Sequence, residues 1–168
     1  MFPANLQQVH PKNPEGKDYD SWILFLRLGS DTKVEKAIRD KYAEIYQILA
    51  SQNVNYSEIT TFKGKRDFYN RFNHEMDEHP LFFVFNKYPL KYAKKKPFLV
   101  IEWGKWKDID TLRNDLMRFV SFFSNKEFRI KIANAKNRKM WSTVVNILKH
   151  HGLDFLKIGF AIASSISS

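Results

Sequence analysis

Two short apolar runs, Leu81–Phe85 and Phe98–Ile101, bracket a basic connection, Lys87-Tyr88-Pro89-Leu90-Lys91-Tyr92-Ala93-Lys94-Lys95-Lys96. Runs of this length and composition read as buried strands, and the lysine-bearing segment between them reads as their loop. This hairpin commits the chain to a sheet, and the rest of the sequence is arranged to cover it. Trp22 to Leu28 is a further apolar run, ended by Gly29-Ser30, and suits a central strand buried on both faces. Thr32 and Glu35 have capping-box spacing, and Val34, Ile38, Tyr42, Ile45 and Leu49 follow at helical intervals. The spacing predicts a helix over 33–51.

Tyr56 to Phe62 is β-branched and mixed in polarity, which predicts an edge strand. Lys63-Gly64-Lys65 then reads as a turn, and Arg66 to Met76 as a helix with Phe68, Phe72 and Met76 on one side. Pro80 ends that helix. After Phe98–Trp103, Asp108 or Asp110 caps a helix with the stripe Ile109, Leu112, Leu116, Phe119, Val120 and Phe123. Phe128-Arg129-Ile130-Lys131-Ile132 alternates at period two and is expected to be a half-exposed strand. A helix from Asn137 to His151, stopped at Gly152, precedes an apolar tail.

The expected class is α/β or α+β, with a mixed four- to five-stranded sheet flanked by helices. Residues 1–20 form an irregular arm, 21–152 one domain, and 153–168 an apolar tail that docks or lies at an interface. Over roughly 21–124, the order strand, helix, strand, helix, strand, strand, helix, with Pro80 before the third strand, is similar to thioredoxin-like folds. The resemblance is one of order, and extra helices follow it. The Cys-x-x-Cys pair is absent, so it implies no redox activity, and fold analogy alone licenses no function.

The chain has no cysteine, which removes disulfides, thiolate metal sites and cysteine nucleophiles, and fits a reducing, cytoplasmic setting. The polar first twenty residues, with Pro3, Pro11 and Pro14, do not read as a signal peptide. No apolar run approaches the ~20 residues of a membrane span. Charge is the informative quantity. Residues 1–85 carry 11 Lys and Arg against 12 Asp and Glu, whereas 86–168 carry 17 against 6, so the whole net charge of +10 arises in the second half. One strongly basic half suits contact with a polyanion; a lysine-rich solvated surface is the plain alternative.

Two clusters carry that excess. Lys87, Lys91, Lys94, Lys95 and Lys96 interleave with Tyr88 and Tyr92, and Lys105, Trp106 and Lys107 follow the second strand. Lysines attract phosphates, and exposed aromatic rings stack on unpaired bases. The second cluster is Lys126, Arg129, Lys131, Lys136, Arg138 and Lys139, against the single acid Glu127, expected along a strand face and the start of the next helix. The reading is a non-enzymatic basic module that contacts nucleic acid through both clusters, provided that they share a surface. A protein–protein or homo-oligomeric module using the apolar tail is one alternative.

A metal-dependent nuclease is another: Glu102 and Lys105 on an apolar strand, in a strand–strand–helix–strand order from 81 to 132, are similar to such a core. Their spacing of three rather than two sends them to opposite faces of a regular strand. His74-Glu75-Met76-Asp77-Glu78-His79 has metal-ligating residue types at a spacing poor for one helix face. No catalytic set, cofactor or metal is expected.

Overall fold

The computed structural model describes residues 6–26, 33–72, 81–92, 95–102, 109–153 and 156–160. Five strands, β1 (Ser21–Leu26), β2 (Val54–Ile59), β3 (Leu81–Phe85), β4 (Pro97–Glu102) and β5 (Leu156–Phe160), form one mixed sheet in the order β2-β1-β3-β4-β5. β1 and β2 are parallel, while β1–β3, β3–β4 and β4–β5 are antiparallel. Helices α1 (Lys33–Ser51), α2 (Phe62–Arg71), α3 (Ile109–Phe122), α4 (Lys126–Asn134) and α5 (Arg138–His150) complete the α/β architecture.

The apolar runs are continuous because both sheet faces are covered. On one face Ile23, Phe25, Phe82, Val84, Leu99 and Ile101 join Ile38 and Ile45 of α1, Phe119 of α3, Ile132 of α4, and Trp141 and Leu148 of α5. On the other, Trp22, Leu24, Phe83, Phe85, Phe98 and Val100 meet Phe68, Tyr69 and Phe72 of α2, together with Val9 and Tyr92. Phenylalanine supplies much of both layers. Phe25 and Phe82, opposite each other in the register, stack at 4.7 Å between ring centroids, a cross-strand pairing of about 0.2–1 kcal/mol.

The structure moves several elements from where the sequence pattern puts them. Phe128–Ile132 is not a strand but lies within α4. The Asn125 side chain accepts from the Phe128 N–H at 3.1 Å, capping the helix. In a strand Phe128, Ile130 and Ile132 would share one face. In the helix Phe128 and Ile132 are buried while Ile130 is 48% exposed. Lys63-Gly64-Lys65 is the first turn of α2 rather than a loop, because the Thr61 hydroxyl accepts from the Gly64 N–H at 3.0 Å. The predicted edge strand begins two residues earlier, at Val54, and ends at Ile59. The end of the predicted 66–76 helix, the Thr32 cap and Asp108 lie outside the described residues.

Gly152, at φ +89°, turns the chain out of α5 in the left-handed region that glycine tolerates. Gly159 of β5 has a different role: a Cβ there would sit 2.6 Å from the Phe98 ring. Among the described residues no helix is long and apolar enough to cross a membrane.

Candidate anion-binding interface

The lysine loop is anchored from inside by a small buried polar group. After β3, the chain passes Asn86 and makes a short 3-10 turn at Pro89–Lys91, closed by the Tyr92 N–H donating to the Pro89 carbonyl at 3.2 Å. Tyr92 then turns inward. Its ring lies 5.0 Å from that of Phe85 and 6.2 Å from that of Phe98, and its hydroxyl donates to the Pro97 carbonyl. The Asn86 Oδ1 is 3.3 Å from the same hydroxyl. Burial pushes the Tyr92 hydroxyl well above the ordinary tyrosine range, opposed by the Trp141 indole, which approaches it without meeting hydrogen-bond geometry.

Asn86 carries the link outward to the rest of the fold. Its amide donates to the carbonyl of Ala135, the C-cap residue of α4. Both residues are buried. One asparagine therefore ties the loop after β3 to the connection between α4 and α5, segments 49 positions apart. Buried polar groups demand partners, so the link fixes which backbone faces which.

Three lysines are brought together as a result. Lys87 follows Asn86, Lys96 precedes Pro97, and Lys136 follows Ala135, so each is the chain neighbour of a residue in the buried group. The Lys96 ammonium is held below its ordinary 10.5, first by Lys87, then by partial burial and by Lys136. Like charges at close range disfavour one another, so the shift records their proximity. Among the described residues no carboxylate forms an ion pair with Lys87, Lys96 or Lys136.

The remaining loop cations border this group. Lys91 and Lys95 are exposed. Lys95 adopts φ +64°, a left-handed conformation that costs a non-glycine residue about 1–2 kcal/mol. Arg138 and Lys139 open α5, whose N-terminus is capped by Asn137 accepting from the Met140 N–H at 3.0 Å. Both are exposed, and α5 contains no acidic residue.

Other sequence-predicted residues are placed differently. Tyr92 is only 8% exposed and belongs to the core, so its ring offers no stacking surface. Tyr88 is half-buried; its hydroxyl donates to the Val9 carbonyl at 3.0 Å and its ring lies 6.0 Å from that of Trp22. Arg129, expected on an open strand face, sits on α4 and spends its guanidinium on the Gln52 side chain and, at 2.7 Å, on the Phe123 carbonyl. It fastens α4 to the ends of α1 and α3. Lys131 is exposed on α4, beside a shallow hollow lined by Phe122, Asn125 and His151. Lys94, Lys105 and Trp106 lie outside the described residues.

The order that resembled a nuclease core changes as well, since its closing strand is α4. Glu102 ends β4, opposite Leu81 in the register. The run 74–79 lies outside the described residues; among those described, no group of three or more His, Asp or Glu is placed to hold a metal. Asn86 is the residue that sequence reasoning missed. A lone amide directly after an apolar strand was the available signal, because a buried asparagine must find a partner. Compared with family models, with curated proteins and with solved structures, the chain finds no match.

Proposed function

We propose that this protein is a non-enzymatic polyanion-binding module whose ligand is nucleic acid, held on a face centred on Lys87, Lys96 and Lys136 and extended by Arg138 and Lys139. The observation that carries the reading is the convergence, from separate parts of the chain, of three lysines that form no ion pair with a carboxylate among the described residues. Three repelling cations on one face oppose folding and favour phosphates, each of which releases condensed counterions when bound. The absence of acid along α5 extends the positive field beyond the loop.

The interface is narrower than the sequence suggests. Arg129 is engaged within the fold, and Tyr92 is a structural residue. We also read the first four strands as a thioredoxin-like arrangement, supported by the order β2-β1-β3-β4 with only the β1–β2 pair parallel. That reading concerns scaffold alone. The test is binding of the full chain to labelled single-stranded and duplex DNA and RNA as salt is varied. Affinity should rise steeply as salt falls, and no binding to any of them at ~50 mM salt overturns the reading.

A further inference from the structure

With Phe128–Ile132 in a helix rather than a strand, α4 and α5 are consecutive helices joined by residues 135–137. α5 lies over β4 and β5, at one edge of the sheet, and buries Trp141, Val144, Val145 and Leu148. Those four positions fix which side of the helix faces out. Lys139, Thr143, Asn146 and His150 recur along the opposite side, and all four are exposed. Each can hydrogen-bond, and none is acidic. Arg138, Ser142 and Lys149 run along one flank of this stripe.

The other helices are built differently. α1, α2, α3 and α4 each contain at least one Asp or Glu, whereas α5 contains none. On α1 the charges are mixed and compensated, with Lys41 paired to Glu44 at 3.4 Å and Asp40 to Arg113. The outer side of α5 carries one sign only, and that sign continues into Lys136 just before the helix. Across the Asn86–Ala135 link it meets Lys87 and Lys96. Among the described residues the Asn146 side chain makes no hydrogen bond.

Shape and ring placement select among nucleic acids. A 13-residue helix is about 20 Å long, and at about 10–12 Å across it fits the B-DNA major groove, about 12 Å wide. Single-strand binders need exposed rings on which bases stack. Among the described residues, the exposed large aromatic side chains are Tyr46 of α1 and Phe62 of α2, neither on α5 nor on the lysine loop. We propose that α5 enters the major groove of duplex DNA, with Asn146 at the base edges and Lys136, Arg138 and Lys149 on phosphates of one groove wall. The proposal rests on the nucleic-acid reading above and names the form of the ligand. Asparagine pairs with the N6 and N7 edge of adenine, and Lys139 suits the O6 and N7 edge of guanine. Duplex RNA is excluded, because its major groove is deep and narrow. Single strands still meet the lysine face through their phosphates but give α5 no groove to fill.

The experiment measures binding of the full chain to duplex DNA, duplex RNA and single-stranded DNA of one sequence. A fourth probe is the same DNA duplex with glucosylated 5-hydroxymethylcytosine, which crowds the major groove and leaves the phosphates unchanged. The plain duplex should bind roughly tenfold or more tightly than the glucosylated duplex or the RNA. Asn146→Glu should weaken plain-duplex binding roughly tenfold, and Gln47→Glu, the same charge change on α1, by roughly twofold or less. Both positions are exposed, so both variants retain the fold, which thermal melts verify. Equal binding of plain and glucosylated duplexes, with Asn146→Glu no worse than Gln47→Glu, overturns the groove assignment and leaves the polyanion reading intact. Tighter binding of the single strand than of the duplex does the same. No binding to any of the four at ~50 mM salt overturns the polyanion reading itself.

Discussion

Replacing Asn86 with alanine should loosen the interface from within, because among the described residues this side chain links the lysine loop to the α4–α5 connection by a buried hydrogen bond. The Ala135 carbonyl, in a residue only 3% exposed, loses its Asn86 donor. Leaving such a group unsatisfied costs about 1–3 kcal/mol. The Tyr92 hydroxyl loses a neighbour at 3.3 Å but keeps the Pro97 carbonyl, so it adds little. The expected loss is about 2 kcal/mol, and at about 2–4 °C per kcal/mol for a chain of this size, Tm should fall by about 4–8 °C. A second readout follows from charge. As Lys136 drifts from Lys96, the Lys96 ammonium should recover part of the way toward 10.5, with Lys87 still supplying the larger share. Thermal unfolding and a nuclear magnetic resonance pH titration measure the two effects. A stability change under about 0.5 kcal/mol, with Lys96 unmoved, would refute the idea that Asn86 organises this face.

Other outcomes follow from the same geometry. Gly159→Ala forces a Cβ to within 2.6 Å of the Phe98 ring, and denaturant unfolding should show a loss of about 1–3 kcal/mol. Ile132→Ala should cost about 2–4 kcal/mol and Ile130→Ala about 0.5 kcal/mol or less; similar losses at both positions would restore the strand reading of this segment. Tyr92 and Lys96 act oppositely at alkaline pH. Tyr92, raised in the fold, contributes stability that is present below its unfolded value of 10.0 and is lost as pH climbs above it. Lys96, lowered in the fold, carries a penalty that is relieved as pH rises from its depressed value to 10.5. Lys87→Ala should remove most of the Lys96 relief and leave the Tyr92 loss, as stability measured against pH will show.

Strands β1, β3 and β4 were legible because runs such as Leu81–Phe85 have a single physical use, burial on two sheet faces. α1 and α5 were legible from their apolar stripes. α4 was not, since Phe128, Ile130 and Ile132 fit period two as well as the i, i+4 spacing fits a helix. The Asn125 cap decides between them, and burial of Ile132 with exposure of Ile130 records the decision. Of the interface, the lysines themselves could be named from composition. Their grouping could not, because it depends on a side chain meeting a backbone carbonyl 49 positions away.

The salt dependence of binding, compared between the native chain and the triple variant Lys87→Ala/Lys96→Ala/Lys136→Ala, bears most directly on the proposed function. Each phosphate contact on a single strand contributes about 0.7 to the slope of log K against log salt, so three lost contacts should lower its magnitude by about 2. With equal affinities extrapolated to about 1 M salt, the variant should bind roughly a hundredfold more weakly at about 0.1 M. Its melting temperature should equal or exceed that of the native chain, because three repelling cations have been removed. Identical slopes and affinities for the two proteins would contradict the claim that this lysine face holds the ligand.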